Sequence, residues 1–417
     1  MKSEDILNNG VFCVMPWTHF AVGTDGRVRP CSWETERLYI NDQIYNVNDH
    51  DISKHESQPP ITQLKKNMLE GKKSSYCKRC YEQEELCGVS KRTVETFNFQ
   101  KDTAQKIVDN EDVKINEIEL RLGNMCNIGC ISCAPGSSSF FVKEIDKKNF
   151  ERDNFTKSFN KQYDYVKSQQ NLEWYKNPEF WTNIENHLEN VTYIYLAGGE
   201  PTIIKENWDF LQKVIDLGYA KNIKLGISTN LTNVQPNHIN VYNSFKETRI
   251  YSSIDGHSEV NDYVRYPSKW KAISKNFETL CRKTDKNIVK FNVIPVISIF
   301  TIWKLDTLVE WIRLIEKATG ANIDFGTHTL LRDPSYMSLL NMPDDAKYKA
   351  LEVVERFADY FAENDFQVNR LRDYIKNSIG NGNTNNFYNG RKYTENFDKL
   401  RDNSWQDAIP ELKQYWK

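Results

Sequence analysis

Met125-Cys126-Asn127-Ile128-Gly129-Cys130-Ile131-Ser132-Cys133 sets three cysteines in a CxxxCxxC array, directly after the apolar run Ile118-Glu119-Leu120-Arg121-Leu122. Three thiolates on one tight loop can hold three irons of a [4Fe–4S] cube and leave the fourth without a protein ligand. Ferredoxin-type carriers use a fourth cysteine instead, and structural zinc takes paired CxxC or Cys/His spacings. An iron left open is a place for a small molecule to bind and receive an electron. The array follows a predicted strand and leads through Ser137-Ser138-Ser139 into a helical stretch.

Further along, Val191-Thr192-Tyr193-Ile194-Tyr195-Leu196-Ala197 reads as a strand that runs into Gly198-Gly199-Glu200-Pro201. Two glycines let the backbone approach a ligand closely, and a carboxylate there can meet an ammonium group. The cysteine array and the GGEP segment, in this order and each after its own strand, resemble the radical S-adenosylmethionine (radical SAM) superfamily. The resemblance implies that SAM chelates the open iron through its amino and carboxylate groups. Gly198, Gly199, Glu200 and Pro201 then meet the methionine amino group.

Ile223-Lys224-Leu225-Gly226-Ile227-Ser228-Thr229-Asn230 is another apolar strand ending in small polar residues, which puts Ser228 and Asn230 among the expected cofactor contacts. Arg249-Ile250-Tyr251-Ser252-Ser253-Ile254-Asp255-Gly256, followed by Asp262-Tyr263-Val264-Arg265, is similar to the S-[IL]-D-G…D-x-x-R pattern of family members with extra clusters. That similarity implies a ribose contact for Ser253 and a SAM carboxylate contact for Arg265, with Asp255 in the same motif. The chain departs from the family at Ser132, where many members carry an aromatic residue near the adenine.

Between the strands lie helical patterns: Phe180, Trp181, Ile184 and Leu188; Trp208, Leu211 and Val214 before Gly218; Trp270, Ile273, Phe277 and Leu280; Leu305, Leu308, Trp311, Ile312 and Ile315 before Gly320. Asn292 to Ile299 and Ile323-Asp324-Phe325-Gly326 supply two further strands. Strands alternating with helices predict an α/β fold of parallel βα units. Six such units make a partial (β/α)6 barrel, with ligands at the carboxyl ends of its strands.

The N-terminal stretch carries Cys13, Cys31 and the CxxC pair Cys77 and Cys80. Phe20-Ala21-Val22 and Arg27-Val28 flank Thr24-Asp25-Gly26, a hairpin signal. Two separated cysteines and a CxxC suit a four-thiolate site, which structural zinc also fits; disulfides are disfavoured in a chain without secretory features. Cys13-Val14-Met15-Pro16-Trp17-Thr18-His19 through Cys31 resembles the twitch and SPASM modules, placed here before the barrel. The resemblance implies an auxiliary [4Fe–4S] cluster on Cys13, Cys31, Cys77 and Cys80, and that reading is favoured over zinc. Cys87 is a spare-ligand candidate, while Cys281 reads as core.

The expected division is an auxiliary module over residues 1–105, the barrel over 106–340 and a C-terminal helical extension over 341–417. The extension begins at Met342-Pro343-Asp344-Asp345, where proline suits a helix start. Gly380-Asn381-Gly382-Asn383-Thr384-Asn385-Asn386 reads as a loop. Around the CxxC, Lys65, Lys66, Lys72, Lys73, Lys78 and Arg79 form a basic cluster opposed only by Glu70. It reads as a solvated face or as a docking surface for an acidic reductant such as flavodoxin or ferredoxin.

Hydrophobic content of 39% and a net charge of −2 exclude the disordered and polybasic classes and argue against a nucleic-acid partner. No apolar run approaches the roughly 20 residues that cross a bilayer, and the N-terminus does not lead into a signal peptide. A membrane partner is therefore not expected, and the cytoplasm is the expected compartment. Together these features predict an enzyme that cleaves SAM reductively and abstracts hydrogen from an unactivated carbon. Its product would be an oxidised or epimerised peptide, protein or small metabolite. His328 is a candidate acid/base or substrate contact, with a structural histidine as the alternative. Tyr263 and Cys87 could donate hydrogen, although buried structural roles suit them better. Two rival classes are a two-cluster electron-transfer protein, which has no use for GGEP or Ser253, and a zinc-stabilised binding protein.

Overall fold

The computed structural model describes residues 3–152, 155–168, 172–362 and 365–416; at Ser3, Leu86 and Cys87 it describes the backbone only. The spare-ligand reading of Cys87 therefore concerns a side chain outside the described residues. The strands are β1 (His19–Val22), β2 (Val28–Arg29), β3 (Tyr39–Ile40), β4 (Gln43–Ile44), β5 (Glu117–Arg121), β6 (Tyr193–Ala197), β7 (Lys224–Thr229), β8 (Glu247–Ser252), β9 (Val289–Val293) and β10 (Ile323–Phe325). Packing divides the chain into two compact units. One comprises residues 1–123, 171–198 and 204–226; the other comprises residues 124–170, 199–203 and 227–417.

In the first unit the sheet order is β2-β1-β5-β6-β7, with β1, β5 and β6 parallel. Phe20, Ile118 and Ile194 are register partners, as are Val22, Leu120 and Leu196, and all six are buried. They form the apolar face of the sheet. The expected hairpin is present: β2 returns antiparallel to β1 with Ala21 opposite Arg29, and Gly26 takes the left-handed conformation its turn requires (φ 78°). Trp174, fully buried, closes that turn with its Nε1–H on the carbonyl of Thr24 (3.2 Å). Beyond the hairpin, β1 joins β5 in parallel, so the N-terminal strand is an integral part of this sheet, a pairing not anticipated from sequence.

In the second unit the order is β7-β8-β9-β10, with β8, β9 and β10 parallel. Helices Trp270–Lys283 and Leu305–Thr319 bury Ile273, Phe277, Leu280 and Cys281, and Leu305, Leu308, Val309 and Ile312 respectively. Gly320 ends the second of these in the left-handed conformation, donating to Glu316 O at 2.7 Å. Two expectations are corrected here. The strand expected over residues 292–299 is β9, which starts at Val289 and stops at Val293. Pro295 has no N–H to give to a ladder, and Ile297 makes only an isolated bridge with Leu330. The loop expected over residues 380–386 ends early because Asn383 accepts from Asn385 N and starts the helix Thr384–Arg401. Among the described residues no helix is long and apolar enough to cross a membrane.

Candidate functional site

The cysteine array lies in the second unit, on a loop pinned from several sides. Ser139 N donates to Asn124 O (2.8 Å), and Ser138 Oγ donates to Ile128 O (2.7 Å), so the serine run ties the loop's two ends together. Gly129 N and Ile131 N donate to Tyr266 O and Val264 O, both at 2.8 Å, which sets Arg265 against the array. Glu200 N donates to Met125 O at 2.8 Å. A Cβ at Gly199 would stand 2.0 Å from that same carbonyl oxygen, so only glycine permits this approach.

Cys126, Cys130 and Cys133 are half-buried and unbridged. Burial, then the neighbouring thiols Cys130 and Cys126, pushes Cys133 up to about 12. Burial also raises Cys130 to about 11, against the opposing pull of Arg265. Sulfurs in electrostatic reach of one another become thiolates only when a countercharge arrives, and thiolate is the metal-binding form. An iron–sulfur core supplies that charge. The donor set, the Arg265 cation and the Gly199 cradle therefore fit a cluster on these three residues. Among the described residues, no three His, Cys, Asp or Glu side chains are grouped as a single metal ion would need.

Glu200 is almost completely buried. Its Oε1 accepts from Thr202 N (3.1 Å), Thr202 Oγ1 (2.6 Å) and Thr229 Oγ1 (2.7 Å); its Oε2 accepts from Asn230 N (2.6 Å). Burial raises its pKa while these donors lower it. The carboxylate is thus largely consumed in joining the GGEP turn to the end of β7, with capacity remaining on Oε2. Asn230 continues the connection. Its Nδ2 donates to Asn127 Oδ1 (3.0 Å) in the cysteine loop, while Oδ1 accepts from Thr232 N (2.9 Å) and Oγ1 (2.6 Å).

At the end of β8, Asp255 Oδ2 accepts from Arg265 Nη1 at 2.7 Å and Oδ1 from Val296 N at 2.8 Å. Arg265 is buried; burial works against its charge, and the paired Asp255 carboxylate holds that charge in place. Ser253 is half-buried, with its N–H on Thr229 O (2.9 Å). Ser252 Oγ and Asn261 Nδ2 are buried without hydrogen-bond partners in this region. The structure thus brings Cys126, Cys130, Cys133, Gly199, Glu200, Asn230, Asp255 and Arg265 into one network. Ser228 is half-buried on β7 and Pro201 is buried. Gly198 lies in the first unit with φ 119°, packed against the Arg121 backbone.

His328 stands apart from this network. It is exposed, three residues beyond β10, with its ring folded over Gly326. Tyr263 is buried and donates to Asp398 Oδ1 (2.8 Å), an anchor for the C-terminal helices. Sequence reasoning missed Thr202, Thr229, Asn127 and Asn261, whose side chains complete the site's hydrogen bonds. It also missed the buried pair of Glu144 with Arg401, whose Nη2 would lie 2.7 Å from a Cβ at Gly129. Polar residues of this kind carry no spacing signal.

In the first unit, Cys13, Cys31, Cys77 and Cys80 are all unbridged. Burial raises Cys13, which also senses Cys77 and Cys80; Cys31 senses Cys13 and Cys80. The four sulfurs therefore share one neighbourhood, beside the apolar cluster of Val11, Phe12, Val14, Met15, Leu64 and Met68. The basic cluster is better opposed than its sequence suggested. Lys72 pairs with Glu70 (2.6 Å), Lys78 with Glu82 (3.8 Å) and Lys73 with Glu85 (4.0 Å), while Arg79 stacks over Trp33 at 4.6 Å.

No curated protein matches the chain. Among solved structures it is similar to native anSMEcpe with bound AdoMet, at 15% identity and a TM-score of 0.35 over 64% of this chain and 63% of that one. It is also similar to Streptococcus suis SuiB bound to S-adenosylmethionine, at 14% identity and a TM-score of 0.29 over 77% of this chain and 73% of that one. The chain spans less than two thirds of the first of these. The family model described as Radical SAM superfamily matches residues 120–312, the stretch that contains the cysteine array, the GGEP turn, Asp255 and Arg265. The match places a radical SAM superfamily domain within residues 120–312, a little under half of the chain.

Proposed function

We propose that the chain is a radical SAM enzyme whose SAM-binding cluster is held by Cys126, Cys130 and Cys133, in a partial (β/α)6 barrel. Its reaction is an oxidative or epimerising modification of a peptide, a protein or a small metabolite. When bound, cluster and SAM supply one-electron cleavage of a SAM carbon–sulfur bond, giving methionine and a 5′-deoxyadenosyl radical that takes hydrogen from a substrate carbon. The observation that carries this reading is the hydrogen bond from Glu200 N to Met125 O, which joins the GGEP turn to the cysteine loop in one unit.

The chain's own residues bind and orient. Arg265, fixed by Asp255 beside Cys130, offers its remaining N–H groups to the SAM carboxylate. Ser253 meets the ribose. Glu200 shapes the turn through its threonine and asparagine partners and meets the ammonium group with the unused capacity of Oε2. In the first unit, Cys13, Cys31, Cys77 and Cys80 hold the auxiliary [4Fe–4S] cluster of a twitch- or SPASM-like module. Flavodoxin or ferredoxin is the proposed reductant and the cytoplasm the proposed compartment.

The test is 5′-deoxyadenosine release from SAM by anaerobically reconstituted, reduced protein, beside a triple Cys126/Cys130/Cys133→Ala variant. Release that the variant lacks supports the reading. Full iron loading with neither release nor calorimetric SAM binding would overturn it in favour of electron transfer.

A further inference from the structure

The strands of a parallel sheet are usually apolar on both faces. The first unit breaks this pattern on the face opposite its core. His19 is the register partner of Glu117, Glu117 of Tyr193, and Glu119 of Tyr195. Arg121 follows on the same face of β5. Charge removed from water is costly unless it is matched, so the matching can be followed group by group.

Glu119 is matched. Arg121 supplies the cation, its Nη2 2.7 Å from Oε1, while the neutral His19 ring stands 3.7 Å from Oε2. Lys91 is matched as well, by Glu95 at 3.1 Å. Glu117 is left over. Its Oε1 accepts from the neutral amide of Gln100 at 3.0 Å, and its charged surroundings are two carboxylates, Glu95 and Glu119, against the single ammonium of Lys91. Burial and those two carboxylates push its pKa up to about 8.

Beside it, Tyr193 and Tyr195 stack nearly parallel (20°, centroids 6.4 Å apart), and both rings lie over Gly226 of β7, where a Cβ would meet Tyr193 Oη at 2.4 Å. Glu117, Tyr193 and Tyr195 are each half-buried, so part of this patch faces solvent.

We propose that the charged face of this sheet binds a primary ammonium group at Glu117, beside Tyr193 and Tyr195. An ammonium supplies the missing cation and the three donors a carboxylate accepts, and aromatic rings favour cations near them. A free alkylamine and a lysine side chain present the same chemistry. Naming this ammonium as part of the substrate rests on the proposed function; the binding itself does not.

The test is calorimetric titration of the full-length, cluster-reconstituted protein without reductant or SAM, so that its result is independent of SAM cleavage. The probes are butylammonium, Nα-acetyl-lysine amide and, as the anionic counterpart, butyrate. The expected result is saturable binding of at least one ammonium probe, none of butyrate, and about tenfold or greater weakening in Glu117→Gln. Binding of butylammonium alone assigns a free amine, and binding of the lysine amide assigns a peptide. Tyr193→Leu, at a half-buried position, should weaken the same probe several-fold and keeps the test intact if Glu117→Gln does not fold. Absence of saturable binding by both ammonium probes, equal binding of butyrate, or affinity unchanged in both variants would overturn the proposal.

Discussion

Glu200 N–H donates to the carbonyl of Met125, 2.8 Å away, and this bond fastens the GGEP turn to the residue that precedes Cys126. Two motifs distant in sequence thereby become one rigid construction. The neighbouring Gly199 has no space for a side chain, because the Met125 carbonyl occupies the place its Cβ would take.

Gly199→Ala should therefore displace the cysteine loop. Overpacking of this kind costs about 1–3 kcal/mol, and part of the strain would be relieved by moving Met125 and Cys126 out of place. The expected outcome is a several-fold lower iron content after reconstitution, with a modest loss in urea stability. Wild-type iron content in Gly199→Ala would show that this loop tolerates the shift.

Glu200→Gln tests the carboxylate. All four hydrogen bonds to the Glu200 carboxylate are donations into it, so an amide NH2 must turn against at least one donor. A buried donor left unsatisfied costs about 1–3 kcal/mol. Urea unfolding should report that loss, and SAM affinity should fall because Asn230 and the turn lose their common anchor. A variant equal to wild type in both measurements would remove Glu200 from the site.

Acid should destabilise the first unit before it touches most carboxylates. His55 is buried against Tyr45 and Phe20, and burial lowers its pKa to about 3; burial lowers His19 to about 4. The folded state keeps both rings neutral, whereas the unfolded chain takes up protons below about 6.5. Stability is therefore fully present above pH 6.5 and falls as pH drops toward 4, by up to about 1.4 kcal/mol per histidine per pH unit. Thermal melts between pH 7 and 4 should follow that slope, and His55→Gln should flatten it. A melting temperature constant from pH 7 to 5 would contradict the assignment.

The residues gathered around the cysteine loop were legible because their spacing is rigid. A CxxxCxxC loop, GGEP and the S-I-D-G…D-x-x-R pattern of Asp255 and Arg265 each fix residue types at fixed offsets. What escaped is what topology brings together. Thr202, Thr229 and Asn127 are ordinary loop residues until the fold places them around Glu200 and Asn230. The parallel pairing of β1 with β5 was hidden because a hairpin signal at Thr24-Asp25-Gly26 says nothing of the strand's other edge. At β9 and at the helix Thr384–Arg401, local chemistry was available and underweighted: Pro295 removes an N–H, and Asn383 is a good cap.

The last prediction concerns the C-terminal helices. Arg401 is buried with Glu144 (3.0 Å) and stands over the rings of Tyr266, Phe397 and Phe141 at 4.8, 4.9 and 5.6 Å. Breaking a buried pair by removing one partner costs about 3–5 kcal/mol, since the other charge is left uncompensated. Arg401→Leu should reach that range in urea unfolding, and Glu144→Gln should approach it. The double variant should recover part of the loss, because no orphan charge remains. Tyr266 also accepts from Gly129 N in the cysteine loop, so both single variants should bind less iron than the double. If instead the two losses simply add, the pair is not coupled and the C-terminal helices stabilise the loop through their aromatic packing alone.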